Sequence, residues 1–277
     1  MTPRTSQLSA FFAANPAAIV CTLTAVRGSS PRAQGTFMLV GAEAIFGTIG
    51  GGALEYMVTE HARRLVTSGR SEEAMDVPLG PEIGQCCGGR VEVTLRYADR
   101  TSRERIIGMV ADEEATLPHV YIFGAGHVGR ALAKMLSLLP VHLEVIDTRR
   151  DELGLLPAGI ASRVVAMPEA VVRGAPDGSA YVILTHDHAL DFLIAQEALA
   201  RCDAPYVGMV GSKTKRARFS SWFRSEGGDA RALERLTLPI GQMGLGDKRP
   251  EMIAVHVASE LMTAVSRAVT AETLVLN

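Results

Sequence analysis

Apolar and polar positions follow two rhythms along this chain, and the change falls near residue 117. Before it, apolar runs are short and irregularly spaced. Residues 5–14 predict a short helix, and AIVCTLTAV (18–26), rich in β-formers, predicts a strand. TFMLVG (36–41), AIFGTI (44–49) and EAMDVPLG (73–80) predict further strands. RVEVTLRYA (90–98) alternates with the period of two that a half-buried strand needs. Residues 53–69 read as a helix with Leu54, Met57, Val58, His61 and Leu65 on one face. The charged stretch 99–117 closes this part, with a helix end before Pro118.

After that point the pattern becomes regular. HVYIFG (119–124), HLEVID (142–147), SRVVA (162–166), AYVILT (180–185) and PYVGMV (205–210) are short apolar runs. Helical spacing separates them at about 127–139, 168–173, 189–201 and 212–226, and a last helix is predicted over about 249–269. Buried strands alternating with amphipathic helices imply a parallel sheet with right-handed crossovers. The expectation is an α/β chain. A mixed α/β domain over 1–116 precedes a Rossmann-like, doubly wound parallel sheet over 117–277.

Composition narrows the function. The net charge of −2, from 28 basic and 30 acidic residues, excludes a protein that grips nucleic acid through phosphates alone. No uncharged apolar run reaches the ~18 residues of a membrane span, and the first residues do not resemble a signal peptide. Four cysteines in 277 residues make no disulfide framework, and no paired CxxC is present. A reducing, cytoplasmic location is therefore expected. Cys21 and Cys202 fall in or near apolar elements and read as structural. The 27 glycines matter more, because many fall in four loops, 47–52, 84–89, 124–129 and 241–246.

The third of these loops carries the most familiar spacing. Gly124, Gly126 and Gly129 form a GxGxxG between a strand and a helix, and Asp147 ends the next strand. In that arrangement the first glycine turns the chain, the second admits a phosphate, and the third lets helix and strand pack closely. Functional NAD(P) binding and a Rossmann frame put to another use both remain open. Arg149 and Arg150 can accept a ribose phosphate or simply be solvated. His186, Asp187 and His188 sit at a strand end, where ligands of doubly wound sheets bind. The plainer reading is that Asp187 caps the next helix. Gly211-Ser212-Lys213 opens another helix; Lys213 suits a phosphate, without the Walker A spacing.

In the first part, Gly28-Ser29-Ser30-Pro31-Arg32 offers hydroxyls, backbone N–H groups and a guanidinium for an anion, through Ser29 and Arg32. The loop from Gly47 to Gly52 can cradle a phosphate or make a tight turn. Gly84-Gln85-Cys86-Cys87-Gly88-Gly89 has little structural rationale. Adjacent accessible thiols suit sulfur transfer or a soft metal; the alternative is two packing cysteines in a turn.

Together, GSSPRAQGTFMLV (28–40), GTIGGGALE (47–55), GQCCGG (84–89), VYIFGAGHVGRAL (120–132), THDHALD (185–191), YVGMVGSKTK (206–215) and LPIGQMGLGDKRPEMIAVHVASEL (238–261) resemble the XdhC/CoxI family, accessory proteins of molybdenum hydroxylases. The resemblance implies a maturation factor rather than a turnover enzyme. Such a factor binds the molybdenum cofactor (molybdopterin), holds it while its sulfido ligand is installed, and delivers it to an apo-enzyme such as xanthine dehydrogenase. It implies sulfur or molybdenum handling at Cys86 and Cys87. Cofactor contacts would come from Ser29, Arg32, Gln85, Gly124, Gly126, His127, Gly129, Asp147, His186, His188 and Lys213. A cysteine desulfurase-type sulfurtransferase is a further expected partner, and a homodimer the expected assembly. The late loop departs from the family pattern at Gly246-Asp247-Lys248-Arg249-Pro250.

Overall fold

The computed structural model describes residues 4–68, 70–84, 88–241 and 247–275. The chain divides into two compact units between Ala115 and Thr116.

The N-terminal unit runs α1 (Arg4–Ala14), β1 (Ile19–Arg27), β2 (Phe37–Val40), β3 (Ile45–Gly47), α2 (Gly52–Ser68), β4 (Glu72–Pro78), β5 (Arg90–Tyr97) and α3 (Arg100–Ala115). Its five strands form an antiparallel sheet in the order β3-β2-β1-β5-β4. Alternation along β1 divides two cores, as period-two side chains require. Ile19, Cys21 and Leu23 pack with Leu54, Val58, Ala62 and Leu65 of α2. Val20 points the other way, into a core with Leu8, Phe11 and Phe12 of α1 and Ile106 and Val110 of α3. The β1–β5 register shifts between Leu23 and Ala25. That bulge changes the parity, so Val26 rejoins the α2 side opposite Val91.

The C-terminal unit runs β6 (His119–Phe123), α4 (His127–Leu136), β7 (His142–Asp147), α5 (Arg150–Leu153), β8 (Ala161–Val164), α6 (Pro168–Arg173), β9 (Ala180–Ile183), α7 (His188–Ala200), β10 (Val207–Met209), α8 (Lys213–Ser225), β11 (Leu236–Thr237) and α9 (Pro250–Val275). All six strands are parallel, in the order β11-β10-β9-β6-β7-β8. Val120 and Ile122 face α4 and α9, with Leu132, Leu136, Val257 and Leu261. Tyr121 and Phe123 face the opposite layer, with Val172, Ile194, Phe219 and Phe223. The central strands β6, β9 and β10 are thus covered on both faces, which explains why they read as apolar runs, whereas the edge strand β8 is exposed along its length. Strand order reverses between β6 and β9, and this switch point is where such sheets take ligands. Among the described residues, no helix is long and apolar enough to cross a membrane.

Three details differ from the sequence expectation. α4 stops at Leu136, and Leu138 is 81% exposed. The short α5, a 3₁₀ turn at Ala230–Arg235 and the two-residue β11 were not anticipated, being too short to imprint a period. Cys21 is buried as expected, but Cys202 is exposed, two residues beyond the end of α7.

Candidate functional site

The crevice of the C-terminal unit is built by close backbone contact. Gly124 follows β6 with φ +116°. A Cβ there would lie 2.3 Å from the Leu184 carbonyl oxygen beyond β9, so a side chain would force the two strand ends apart. A Cβ on Gly129 would lie 1.9 Å from the Gly124 oxygen. Gly126 differs. It caps α4 with no side-chain hydrogen bond, and no heavy atom lies within 4 Å of its would-be Cβ. Space and an uncapped helix N-terminus therefore coincide above Gly126, which suits an anion such as a phosphate. His127 is exposed at the same helix start.

Asp147 ends β7 and is 4% exposed. Its Oδ2 accepts from the Ala125 N–H at 2.7 Å and from Arg149 Nη2 at 3.0 Å. Its Oδ1 accepts from the Arg149 backbone N–H at 2.9 Å and from Arg149 Nε at 3.1 Å. Burial alone would raise its pKa, but these hydrogen bonds from Arg149 and Ala125 outweigh it and hold the carboxyl below its ordinary value. Glu152 continues the line, accepting from Arg130 Nη1 at 2.6 Å and lying 3.7 Å from Arg149 Nη1. Arg149 is thus a partner of Asp147 rather than a free surface cation, while Arg150 is exposed at the start of α5.

On the other side of the switch point, His186 and His188 are both exposed. Asp187 caps α7, accepting from the Ala189 N–H at 2.7 Å. Ser212 caps α8, accepting from the Lys215 N–H at 3.2 Å, and Lys213 is exposed on that first turn. Underneath lie two residues that the sequence reading passed over, Asp191 and Lys215. Asp191 is 0% and Lys215 6% exposed, and they form an ion pair. Asp191 Oδ1 also accepts from the Thr185 N–H at 3.0 Å and its hydroxyl at 2.7 Å. Lys215 Nζ donates to the Val210 carbonyl at 2.9 Å. The pair therefore ties together the ends of β9 and β10 and the first turns of α7 and α8. A signal was present in the sequence. Asp191 stands on the buried stripe 191-194-195-198-199 of α7, and Lys215 on 215-219-223 of α8.

The late loop is anchored at its start, where Glu260 Oε2 accepts from the Gly241 N–H and the Tyr206 hydroxyl, each at 3.1 Å. At its end, Arg249 Nη2 donates to Asp247 Oδ2 at 2.6 Å, so the departing Asp247 and Arg249 pair with each other.

In the N-terminal unit, three loops gather at the sheet end where β1 finishes and β5 begins. A Cβ on Gly89 would lie 2.0 Å from the Ser29 carbonyl oxygen, and one on Gly50 would lie 2.7 Å from Pro31 Cγ. The loop from Leu79 is closed by Leu79 N–H to Gly89 O at 2.8 Å and Gly88 N–H to Leu79 O at 2.9 Å. Gln85, Cys86 and Cys87 lie outside the described residues. Ser29 and Arg32 are both exposed. The loop from Gly47 to Gly52 already holds an anion of its own. Glu55 accepts from the Ile49 N–H at 3.0 Å, the Gly51 N–H at 2.9 Å and the Thr48 hydroxyl. Its pKa, which burial alone would raise, is lowered by these bonds. The tight-turn reading of that loop is therefore the one realised, and the sequence signal was a glutamate three residues into the helix after the glycines.

These features define a two-unit protein with a Rossmann-type crevice and, in the N-terminal unit, a loop closed by hydrogen bonds between Leu79 and both Gly88 and Gly89. The family models agree: the XdhC Rossmann domain matches residues 120–261, and the XdhC and CoxI family matches residues 12–77. The chain belongs to the XdhC and CoxI family. It is 28% identical over 248 residues to the uncharacterized protein YqeB of Escherichia coli (strain K12), covering 85% of this chain and 41% of that one. The chain thus spans about two-fifths of that relative's length. Its fold is similar to a solved Bacillus halodurans chain described as a xanthine dehydrogenase, with a TM-score of 0.78, 18% identity and 96% of each chain covered.

Proposed function

We propose that this protein is an accessory factor of molybdenum hydroxylases. It binds the molybdenum cofactor as cargo, holds it while a cysteine desulfurase-type partner installs the sulfido ligand, and delivers it to an apo-enzyme such as xanthine dehydrogenase. The observation that carries this reading is the family membership together with the closed loop from Leu79 to Gly89, which contains Cys86 and Cys87 and packs against Ser29. Soft thiolates suit the molybdenum end of such a cargo, and the exposed Arg32 guanidinium suits an anionic group. The open helix start at Gly126 suits a phosphate. Residues that bind on loops over rigid sheets can hold a ligand and still release it.

The test is reconstitution. The purified full chain, loaded with molybdenum cofactor under anaerobic conditions, is expected to retain near-stoichiometric cofactor and to activate apo xanthine dehydrogenase. Absence of both binding and transfer overturns the reading. Cys86→Ala and Cys87→Ala are expected to weaken retention or sulfuration; if both match the parent, the thiols have no part in cofactor handling.

A further inference from the structure

In dinucleotide-binding Rossmann units, the acid ending the second strand takes the hydroxyls of the adenosine ribose. Asp147 occupies that place, because β7 lies next to β6 on the side away from the switch point. An ionised carboxylate offers about four acceptor directions. Here four donors fill them: the Ala125 N–H, the Arg149 N–H, Arg149 Nε and Arg149 Nη2. Two are backbone groups of the turns themselves. The other two belong to one side chain that is 36% exposed and backed by Glu152.

We infer that Arg149 is a specificity-determining residue: its guanidinium plugs a latent ribose-diol subsite at Asp147, closing the crevice to ligands that need that diol while leaving the phosphate position at Gly126 open. The crevice then rejects nicotinamide adenine dinucleotides. A diol must displace the Nε and Nη2 hydrogen bonds of Arg149. Because both are charge-assisted, the exclusion amounts to about a ten- to hundredfold loss of affinity. This inference does not rest on the molybdenum reading, since the assay contains no molybdenum and tests only the crevice.

The experiment titrates NAD, and separately NADP, into the full-length parent, Arg149→Ala and Arg149→Gln by calorimetry, with thermal melts to confirm folding. The parent is expected to show no saturable NAD binding in the micromolar range. Both variants are expected to bind NAD at least about tenfold more tightly than the parent, and Asp147→Asn added to Arg149→Ala is expected to abolish the gain. Three results overturn the inference. The first is a parent that binds NAD as tightly as the variants. The second is folded variants with no gain. The third is a parent that binds NADP and loses it on Arg149→Ala, which makes Arg149 a ligand for the 2′-phosphate instead of a plug.

Discussion

Lys215 and Asp191 form an ion pair beneath the strand ends, with Asp191 0% and Lys215 6% exposed. Each is the first residue of an otherwise apolar helical stripe. Together they bring four chain segments to one point, because Asp191 also holds Thr185 and Lys215 also holds Val210.

Removing the cation alone leaves a buried carboxylate uncompensated. Lys215→Met is therefore expected to destabilise the protein by about 3–5 kcal/mol. Adding Asp191→Asn removes the charge yet keeps an acceptor for Thr185, so the double variant is expected to recover most of the loss. Urea denaturation of the parent, both single variants and the double variant checks this. Additive losses in the double variant contradict it.

The GxGxxG glycines separate into structural and ligand-facing positions. Gly129→Ala places a methyl group against the Gly124 carbonyl, 1.9 Å away before any adjustment. A loss of about 1–3 kcal/mol is expected from such overpacking. Gly126→Ala meets open space at φ −66°, a backbone conformation that alanine adopts without strain. It is expected to leave the melting temperature within a few degrees of the parent while weakening retention of an anionic ligand. Thermal melts and the cofactor-retention assay distinguish the two variants.

Asp147 gives the C-terminal unit a pH dependence of definite sign. Its folded-state pKa lies below the ordinary value. The stability it contributes is therefore full above the unfolded-chain carboxyl range, near ~3.9. It is lost as the pH falls from there through the lower folded value. Unfolding free energies of Asp147→Asn are expected to fall less steeply than those of the parent as the pH drops below about 4. Equal slopes for variant and parent show that the carboxylate contributes nothing. Glu55, lowered in the same direction by Thr48, Gly51 and Ile49, predicts the same sign for the N-terminal unit.

By itself the sequence determined the two-part α/β plan, because hydrophobic periodicity and short-range spacing are local quantities. The apolar runs at 119–124 and 180–185 read as strands covered on both sides, and Gly124, Gly126, Gly129 and Asp147 lie within one strand-helix-strand unit. What depended on the third dimension was which groups meet. Asp147 and Arg149 are two residues apart, yet only the turn after β7 brings both Nε and Nη2 of the arginine onto the carboxylate and fills its acceptors. Glu55 reads as an ordinary first-turn acid until the backbone curls the amides of Ile49 and Gly51 onto it. Asp191 and Lys215 lie 24 residues apart and become partners only because β9 and β10 are adjacent in the sheet. Burial then makes each charge depend on the other, since a lone charge in that low-dielectric layer is costly. Periodicity can show that a charge faces the core, but only the assembled sheet supplies the opposite charge that lets it stay there.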